Sequence, residues 1–203
     1  AHSEACDVLS IANGEVYFGV SSLQSPLYLT APDFTVATNA LVSVTSVVID
    51  APFESDILTG ATLTLGNNAG LHTPILNIDN GGMLALAAST ASFEGPGPAT
   101  LRIGLFGSAT MSLDNGASAD VDGSVHVGGT ISPSTTASLT LSNGSSMEMN
   151  TLLASGTAQA TTVAQIDVLS NSTLTFNGEM TLGDSNGDYD LTVHGGTLYI
   201  GIL

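Results

Sequence analysis

One short segment of the sequence carries oxygen-bearing side chains at every second position. The segment 183–190, Gly-Asp-Ser-Asn-Gly-Asp-Tyr-Asp, offers these oxygens at Asp184, Asn186, Asp188 and Asp190. Calcium is bound by several oxygen ligands, and this alternation is the pattern of the first half of a calcium-binding loop. The spacing therefore predicts a calcium site at these four residues.

The segment resembles the Asp-x-Asn-x-Asp half-loop of dockerin and EF-hand modules, but it departs from them at two positions. Tyr189 stands where those loops have their turn glycine, and Gly195 stands where they have the final acidic ligand. The alternative interpretation is a polar loop between two structural repeats.

A second group of acidic residues, Asp114, Asp120 and Asp122, lies close to His126 in the sequence. On a strand, Asp120 and Asp122 would share one outward face, because side chains alternate between faces. Paired carboxylates serve glycoside hydrolysis or cation binding, and the alternative is a solvated acidic face. The histidines show no metal-ligand spacing, and no Gly-x-Ser-x-Gly nucleophile motif occurs.

A repeat of strand, tight turn and strand must position these residues. In segment 139–149, apolar residues alternate with polar ones on both sides of an Asn-Gly pair. The same pattern starts at Leu9, Phe34, Leu76, Met111, Leu139, Ile166 and Leu191. The sixth residue of every unit is Gly or Asn, which adopt the left-handed backbone conformation most readily. The predicted turn residues are Gly14, Asn39, Gly81, Gly116, Gly144, Asn171 and Gly196.

The spacing of these units indicates the fold class. The last four units start at nearly even intervals, whereas the wider gaps that precede Leu76 and Met111 indicate insertions or a missed unit. We predict an all-β chain that forms a parallel β-solenoid, or β-helix, with coils of about 25–28 residues and three short strands per coil. Residues 1–203 are expected to form a single elongated domain, less regular over 1–60 and regular over 61–203.

The charge balance excludes several classes of function. One arginine, no lysine and 18 acidic residues give a net charge of −17. Nucleic-acid binding is excluded because almost nothing can neutralise phosphates, and docking on an anionic membrane is disfavoured for the same reason. No apolar run is long enough to span a membrane. Only 9% of the residues are charged, so the surface must be mostly hydroxyl and amide, which suits an extracellular protein.

Three short features bear on export and modification. Cys6 is the only cysteine, so it is either a small buried thiol or the site of a disulfide between two chains. Residues 1–6 are interpreted as the start of a secreted chain whose signal peptide has been removed. Asn143-Gly-Ser145 and Asn171-Ser-Thr173 match the N-glycosylation pattern, and the alternative is that they are ordinary turn residues.

Segments 139–149 and 191–201 look like units of bacterial secreted β-solenoid proteins, of the autotransporter passenger-domain and autotransporter-repeat type. The resemblance covers residues 60–203 well and residues 1–60 loosely. It implies export, a surface or matrix location, and adhesion or structure rather than catalysis. It carries over no catalytic residue.

The leading functional hypothesis is a non-enzymatic extracellular structural protein that builds a filament, sheath or surface layer. The second hypothesis is a carbohydrate-binding or adhesin module that contacts extracellular polysaccharide, and the third is a glycan-active enzyme. Under the first hypothesis the chain's partner is itself. Segments 10–20 and 192–202 share turn spacing and show no capping helix, so we expect the two end coils to stack head to tail. The predicted interface residues are Ile11, Val16, Phe18, Val193, Leu198 and Ile200.

Overall fold

The fold is taken from a computed structural model, which describes most of the chain. Side chains are described from residue 34 onward within the described ranges, except at residues 135 and 162. The described backbone comprises residues 3–5, 8–11, 15–19, 27–30, 33–45, 47–95, 97–104, 106–128, 135–154, 162–183 and 188–201.

Short β-strands make up the regular structure, and the described residues contain no helix. Every pair of neighbouring strands is parallel, as in the ladders joining Asp33–Val36 to Val8–Ile11 and Asp188–His194 to Thr162–Leu169. The strands are β1 (Ser3–Ala5), β2 (Val8–Ile11), β3 (Glu15–Gly19), β4 (Leu27–Thr30), β5 (Asp33–Val36), β6 (Leu41–Thr45), β7 (Val47–Asp50), β8 (Glu54–Ile57), β9 (Thr62–Leu65), β10 (Gly70–His72), β11 (Ile75–Ile78), β12 (Gly82–Ala87), β13 (Thr90–Phe93), β14 (Ala99–Ile103), β15 (Ala109–Asp114), β16 (Ser118–Val127), β17 (Thr135–Leu141), β18 (Ser146–Ala154), β19 (Thr162–Leu169), β20 (Thr173–Phe176), β21 (Met180–Leu182), β22 (Asp188–His194) and β23 (Thr197–Ile200).

The strands stack into three faces, which the chain visits in the same order in every coil. Face 1 contains β1, β4, β7, β10, β13, β20, β23 and the first parts of β16 and β18. Face 2 contains β2, β5, β8, β11, β14, β21 and the second parts of β16 and β18. Face 3 contains β3, β6, β9, β12, β15, β17, β19 and β22. This arrangement confirms the predicted all-β parallel solenoid with three strands per coil.

The core consists of columns of inward side chains, one from each coil. Strand residues alternate between buried and partly exposed, as in β15, where three of the six residues are buried. One column on face 3 runs Val42, Leu63, Leu84, Met111, Leu139 and Ile166, and each of these is at most 1% exposed. The apolar residues of the period-two sequence pattern are therefore the buried ones, and the parallel register brings equivalent residues of successive coils into contact.

One coil is hidden from the sequence repeat because Ser55 occupies an inward apolar position. On face 2, Ser55 pairs with Phe34 on one side and with Leu76 on the other, and it lies midway between them in the sequence. The wide gap between the predicted units at Phe34 and Leu76 is thus two short coils. Ser55 is fully buried, and its Oγ has no hydrogen-bond partner among the described atoms.

The predicted turn residues belong to two different corners of the solenoid. Asn39 (φ 59°) and Gly81 (φ 84°) lie at the corner between faces 2 and 3, whereas Gly116 (φ 74°), Gly144 (φ 77°) and Asn171 (φ 63°) lie at the corner between faces 3 and 1. The sequence pattern treats all the units as equivalent. In the structure, however, the units at residues 34 and 76 turn at one corner, and those from residue 111 onward turn at the next.

The first and last predicted turn residues differ from the others. Gly14 lies outside the described residues. In the last unit, Gly195 rather than Gly196 has a left-handed backbone, with φ 74°. Gly196 is needed for close approach instead, since a Cβ atom there would lie 2.6 Å from the carbonyl oxygen of Val168.

Candidate functional site

The structure describes only half of the predicted calcium site. Asp188 and Asp190 are exposed at alternate positions of β22, while Asp184 and Asn186 lie outside the described residues. Within the described ranges, no group of three or more His, Cys, Asp or Glu side chains is arranged to hold a metal ion. Calcium binding at these four residues stays a prediction.

The predicted assembly residues fall on strands at the two ends of the stack. Ile11 lies on β2, and Val16 and Phe18 lie on β3, where only the backbone is described. At the other end, Val193 is 42% exposed and Ile200 is 51% exposed. Leu198, the sixth predicted residue, is partly buried against the core.

The acidic residues around β16 are separated by a bend in that strand. Asp120 lies on face 1, where it pairs with Glu148, whereas His126 lies on face 2. The pairing register shifts between Val121 and Ser124. Asp120 and Asp122 are both exposed, on either side of the buried Val121, so the predicted outward alternation of the two carboxylates is confirmed. Asp122 lies where the strand bends, and beyond it the chain turns onto a new face within the same strand.

Asp114 binds the turn of the next coil. Its Oδ1 accepts hydrogen bonds from Ser142 Oγ at 2.8 Å and from Asn143 Nδ2 at 2.6 Å. These two bonds, the Ser142 bond first, lower the pKa of the Asp114 carboxyl, because they favour its charged form. Asp114 is therefore a structural anchor of the corner between faces 3 and 1.

The two glycosylation patterns lie at this same corner. Asn143 and Asn171 are exposed, but Ser145, the hydroxyl residue of the first pattern, is 1% exposed and donates to the carbonyl oxygen of Leu113 at 3.1 Å. In the folded chain, the buried Ser145 hydroxyl thus stabilises the turn through this hydrogen bond.

Face 1 carries a groove that contains two carboxylates. Asp120 and Glu148 lie on neighbouring strands and line a cavity of about 350 Å³, together with hydroxyls that include those of Ser118 and Ser146. Burial raises the pKa of the Asp120 carboxyl, and the negative charge of Glu148 raises it further. The groove thus combines two neighbouring carboxylates with hydroxyl groups.

The geometry of this pair bears on glycoside hydrolysis. Neighbouring strands lie about 4.8 Å apart, which is close to the separation of about 5–5.5 Å between the carboxyl groups of retaining glycosidases. Asp120 and Glu148 project from the same face of one sheet, however, and hydrolysis needs carboxylates that flank the scissile bond. The pair is better suited to accepting hydrogen bonds from a ligand than to cleaving one.

Face 2 carries a column of polar residues that includes the only arginine of the chain. Arg102 Nη1 donates to Asn77 Oδ1 at 3.0 Å. Asn77 Nδ2 donates in turn to Glu54 Oε1 at 2.7 Å and to Asp56 Oδ1 at 2.8 Å. The amide of Asn77 therefore connects the guanidinium group to two carboxylates and holds all three side chains in place.

His126 continues this column beside Arg102, its partner in the ladder. Burial lowers the pKa of the His126 imidazole, and the positive charge of Arg102 lowers it further. A neutral imidazole is therefore favoured near neutral pH.

Sequence reasoning missed the Arg102 column because its members are far apart in the chain. Asp56, Asn77, Arg102 and His126 are successive partners across parallel ladders, so each lies one full coil beyond the one before it. The coil length is the signal that could have found them, because it predicts which distant residues become neighbours. Using it requires the short coil containing Ser55 to be recognised first.

Comparison with known proteins identifies no similar protein. No family model, curated protein or solved structure matches the chain. The described part of the chain also contains no helix of sufficient length and apolar character to cross a membrane. The fold and the side-chain geometry are thus the basis for functional inference.

Proposed function

We propose that the chain is a non-enzymatic extracellular structural protein whose coils stack into longer rods, as in a filament, a sheath or a surface layer. Each coil is tied to its neighbours by parallel ladders on three faces and by continuous inward columns. Such a stack resists bending, because deformation must disturb hydrogen bonds and core packing together.

The observation that carries this proposal is the apolar surface that the described part of the chain leaves uncovered on the coil formed by β22 and β23. Val193 stacks on Val168, which is fully buried, yet Val193 is 42% exposed. Ile200 stacks on the fully buried Phe176, yet Ile200 is 51% exposed. Because each of these side chains is already about half buried, covering it with a further coil would contribute on the order of 1 kcal/mol.

A second molecule is the proposed source of that coil. Its β1–β3 end presents strands for the same three faces, and β3 carries Val16 and Phe18 at alternate positions. Contact between two different ends of the molecule does not close on itself, so it propagates into a fibre. The net charge of −17 would limit side-by-side clumping.

The extracellular location is part of the proposal. It is supported by the hydroxyl- and amide-rich composition, by the near absence of basic residues, and by the resemblance to autotransporter-type repeats. That resemblance concerns repeat composition, so membership of such a family also remains a proposal.

Sedimentation velocity and negative-stain electron microscopy of the full chain across a concentration series test the assembly. We expect rods that lengthen with concentration. Ile200→Asp should abolish them by placing a charge on the uncovered core. Phe106→Asp is the matched control, because Phe106 is 46% exposed and lies far from this coil in the sequence.

Two outcomes would contradict the proposal. If the chain stayed monomeric at millimolar concentration and formed no rods, the proposed head-to-tail assembly would be contradicted. Equal loss of rods in Ile200→Asp and Phe106→Asp would show that association does not use the uncovered coil.

A further inference from the structure

The corner between faces 1 and 2 carries an apolar ridge in three successive coils. Pro52 and Phe53 connect β7 to β8, Pro74 connects β10 to β11, and Pro98 precedes β14. The Phe53 side chain is 65% exposed, the largest exposure among the large apolar residues of the described chain. An aromatic ring beside proline rings offers a rigid apolar platform to a ligand.

Two cavities share this ridge and have acidic rims. The larger, of about 360 Å³, is lined by Phe53, Pro74 and the carboxylate residue Glu54. The smaller, of about 240 Å³, lies against Pro52 and Pro74, and its lining includes Asp50 and Glu94. Carboxylate residues therefore stand on both sides of one apolar platform.

The carboxylate in the larger cavity is held in a defined position. Glu54 begins β8 and is partly buried, and its Oε1 accepts the hydrogen bond from Asn77 Nδ2 at 2.7 Å. A carboxylate has two oxygens and room for several hydrogen bonds. Glu54 can therefore accept a further bond from a ligand lying on Phe53 without losing its support.

Charge selects among the ligands that this site could take. Neither cavity is lined by a described arginine and the sequence contains no lysine, so His72, in the smaller cavity, is the one basic residue among the described lining residues. With a net charge of −17, the molecule repels acidic polymers and attracts cations. The complementary ligand is cationic and has an apolar face.

The backbone at this corner is poorly placed to bind a peptide. Several of its N–H groups are already used, since Ala51 donates to His72 at 2.8 Å, Thr73 to Ser92 at 3.0 Å and Thr100 to the carbonyl of Pro74 at 2.9 Å. The strands β8 and β11 have partners on both sides, so no edge is open for an added strand. A ligand recognised through ring faces and side-chain carboxylates fits better than one that needs backbone partners.

We propose that this corner binds a glycan of amino sugars with free amino groups. One sugar ring lies on Phe53 with its apolar face, and its ammonium group donates to Glu54. Asp50 and Glu94, across the ridge, attract the amino group of a neighbouring sugar. The larger cavity is within the size range of small-ligand sites, about 300–1,000 Å³.

Isothermal titration calorimetry of the full chain with a short glucosamine oligosaccharide, at physiological salt, tests this site. Phe53→Ala and Glu54→Gln should each weaken binding about tenfold. Phe106→Ala and Glu179→Gln are matched controls and should leave binding unchanged. Phe106 is another exposed phenylalanine, and Glu179, like Glu54, accepts a hydrogen bond from a neighbouring side chain.

Several results would overturn the proposal. The first is absence of binding, and the second is equal binding of the N-acetylated oligosaccharide. The third is equal weakening by Glu54→Gln and Glu179→Gln, which would indicate nonspecific attraction to a polyanion. Tighter binding of an arginine- and phenylalanine-containing peptide would assign the corner to a protein partner instead. One binding site per chain, with loss confined to the Phe53 and Glu54 variants, would support it.

Discussion

The coils before residue 99 and the coils after it turn the corner between faces 1 and 2 in different ways. The earlier coils end one strand and start another, with Pro52 or Pro74 between them. Proline has no N–H to give to a ladder, so it separates strands. The next two coils bend within β16 and β18 at Asp122 and Asn150, and Asn150 Nδ2 donates to Asp122 Oδ1 at 3.0 Å, whereas the last corner again separates two strands, β20 and β21.

Coil length also differs between the two regions. On face 3 of the earlier region, Leu41 pairs with Thr62 and Thr62 with Met83. The later partners Ala109 and Ala137 are further apart in the sequence, so the later coil is longer. Much of the added length lies between face 2 and face 3, and the inward columns continue through both regions. Burial therefore determines the register of the faces, while corners can differ in length and chemistry.

The largest expected effect tests whether both regions share one core. Phe93 and Phe176 belong to the same inward column on face 1 and are fully buried. Phe93→Ala and Phe176→Ala should each lower the free energy of unfolding by about 3–5 kcal/mol, measured by denaturant titration. Phe106→Ala should change it by less than about 0.5 kcal/mol. If one of the buried variants behaved like Phe106→Ala, the two regions would not share a continuous core.

The next effect compares glycines from the two kinds of corner. A Cβ atom at Gly123, in the bend of β16, would lie 2.0 Å from the carbonyl oxygen of Ala99, whereas one at Gly97 would have no heavy atom within 4 Å. Gly123→Ala should cost about 1–3 kcal/mol through overpacking. Gly97→Ala should be neutral or stabilise by up to about 1 kcal/mol, by reducing the freedom of the unfolded chain. Thermal unfolding of the two variants checks this, and equal shifts would contradict it.

Left-handed turns between faces 3 and 1 give a smaller effect. Gly116 and Gly144 have φ of 74° and 77°, and a Cβ atom at either would meet no heavy atom within 4 Å. Gly116→Val or Gly144→Val should cost at least ~1 kcal/mol from backbone strain alone. Gly97→Val, at the open proline corner without a positive φ, serves as the control. Equal stability of all three variants would argue against strain at these turns.

The buried serine of the short coil predicts a gain in stability. Ser55→Ala removes a buried hydroxyl without a described partner and should raise the free energy of unfolding by about 1 kcal/mol. Ser89 is also buried, but its Oγ donates to the carbonyl of Leu65 at 3.0 Å. Ser89→Ala should therefore lower it by about the same amount. Chemical denaturation of both variants should give opposite signs.

The smallest effect is the pH dependence of two carboxylates from the later coils. The pKa of Asp120 is raised from 3.8, so its stabilising contribution is present below 3.8 and is lost as pH rises through the raised pKa. The pKa of Asp114 is lowered from 3.8, so its contribution is present above 3.8 and is lost as pH falls through the lowered pKa. At neutral pH, Asp120→Asn should raise the melting temperature and Asp114→Asn should lower it. Two increases at pH 7 would contradict the assignment for Asp114, and two decreases would contradict that for Asp120.

Several parts of the fold follow from local sequence. Alternation in segments such as 139–149 predicts strands, and Asn-Gly pairs predict turns with positive φ, because both depend on residues within a few positions of one another. The near-even spacing of the later units then indicates stacked coils. These signals led to the parallel solenoid without any knowledge of contacts between coils.

The sequence pattern failed where tertiary packing overrides it. Ser55 sits in an apolar column, so the pattern skipped its coil. The bend in β16 places Asp120 on face 1 and His126 on face 2, although the alternation in the sequence continues without a sign of the change of face. In both cases the neighbouring coils, rather than the adjacent residues, decide which residues meet.

The sequence by itself determined the strand content, the turn chemistry, the period of the later coils and the acidic, lysine-free surface. Only the tertiary structure decided which face each strand joins, and therefore which residues meet. It brought Arg102 to Asn77 and placed Phe53 and Glu54 beside Pro74, across separations of about one coil. The physical reason is that contacts between coils depend on the summed length of all intervening corners, and corner length leaves no periodic hydrophobic signal.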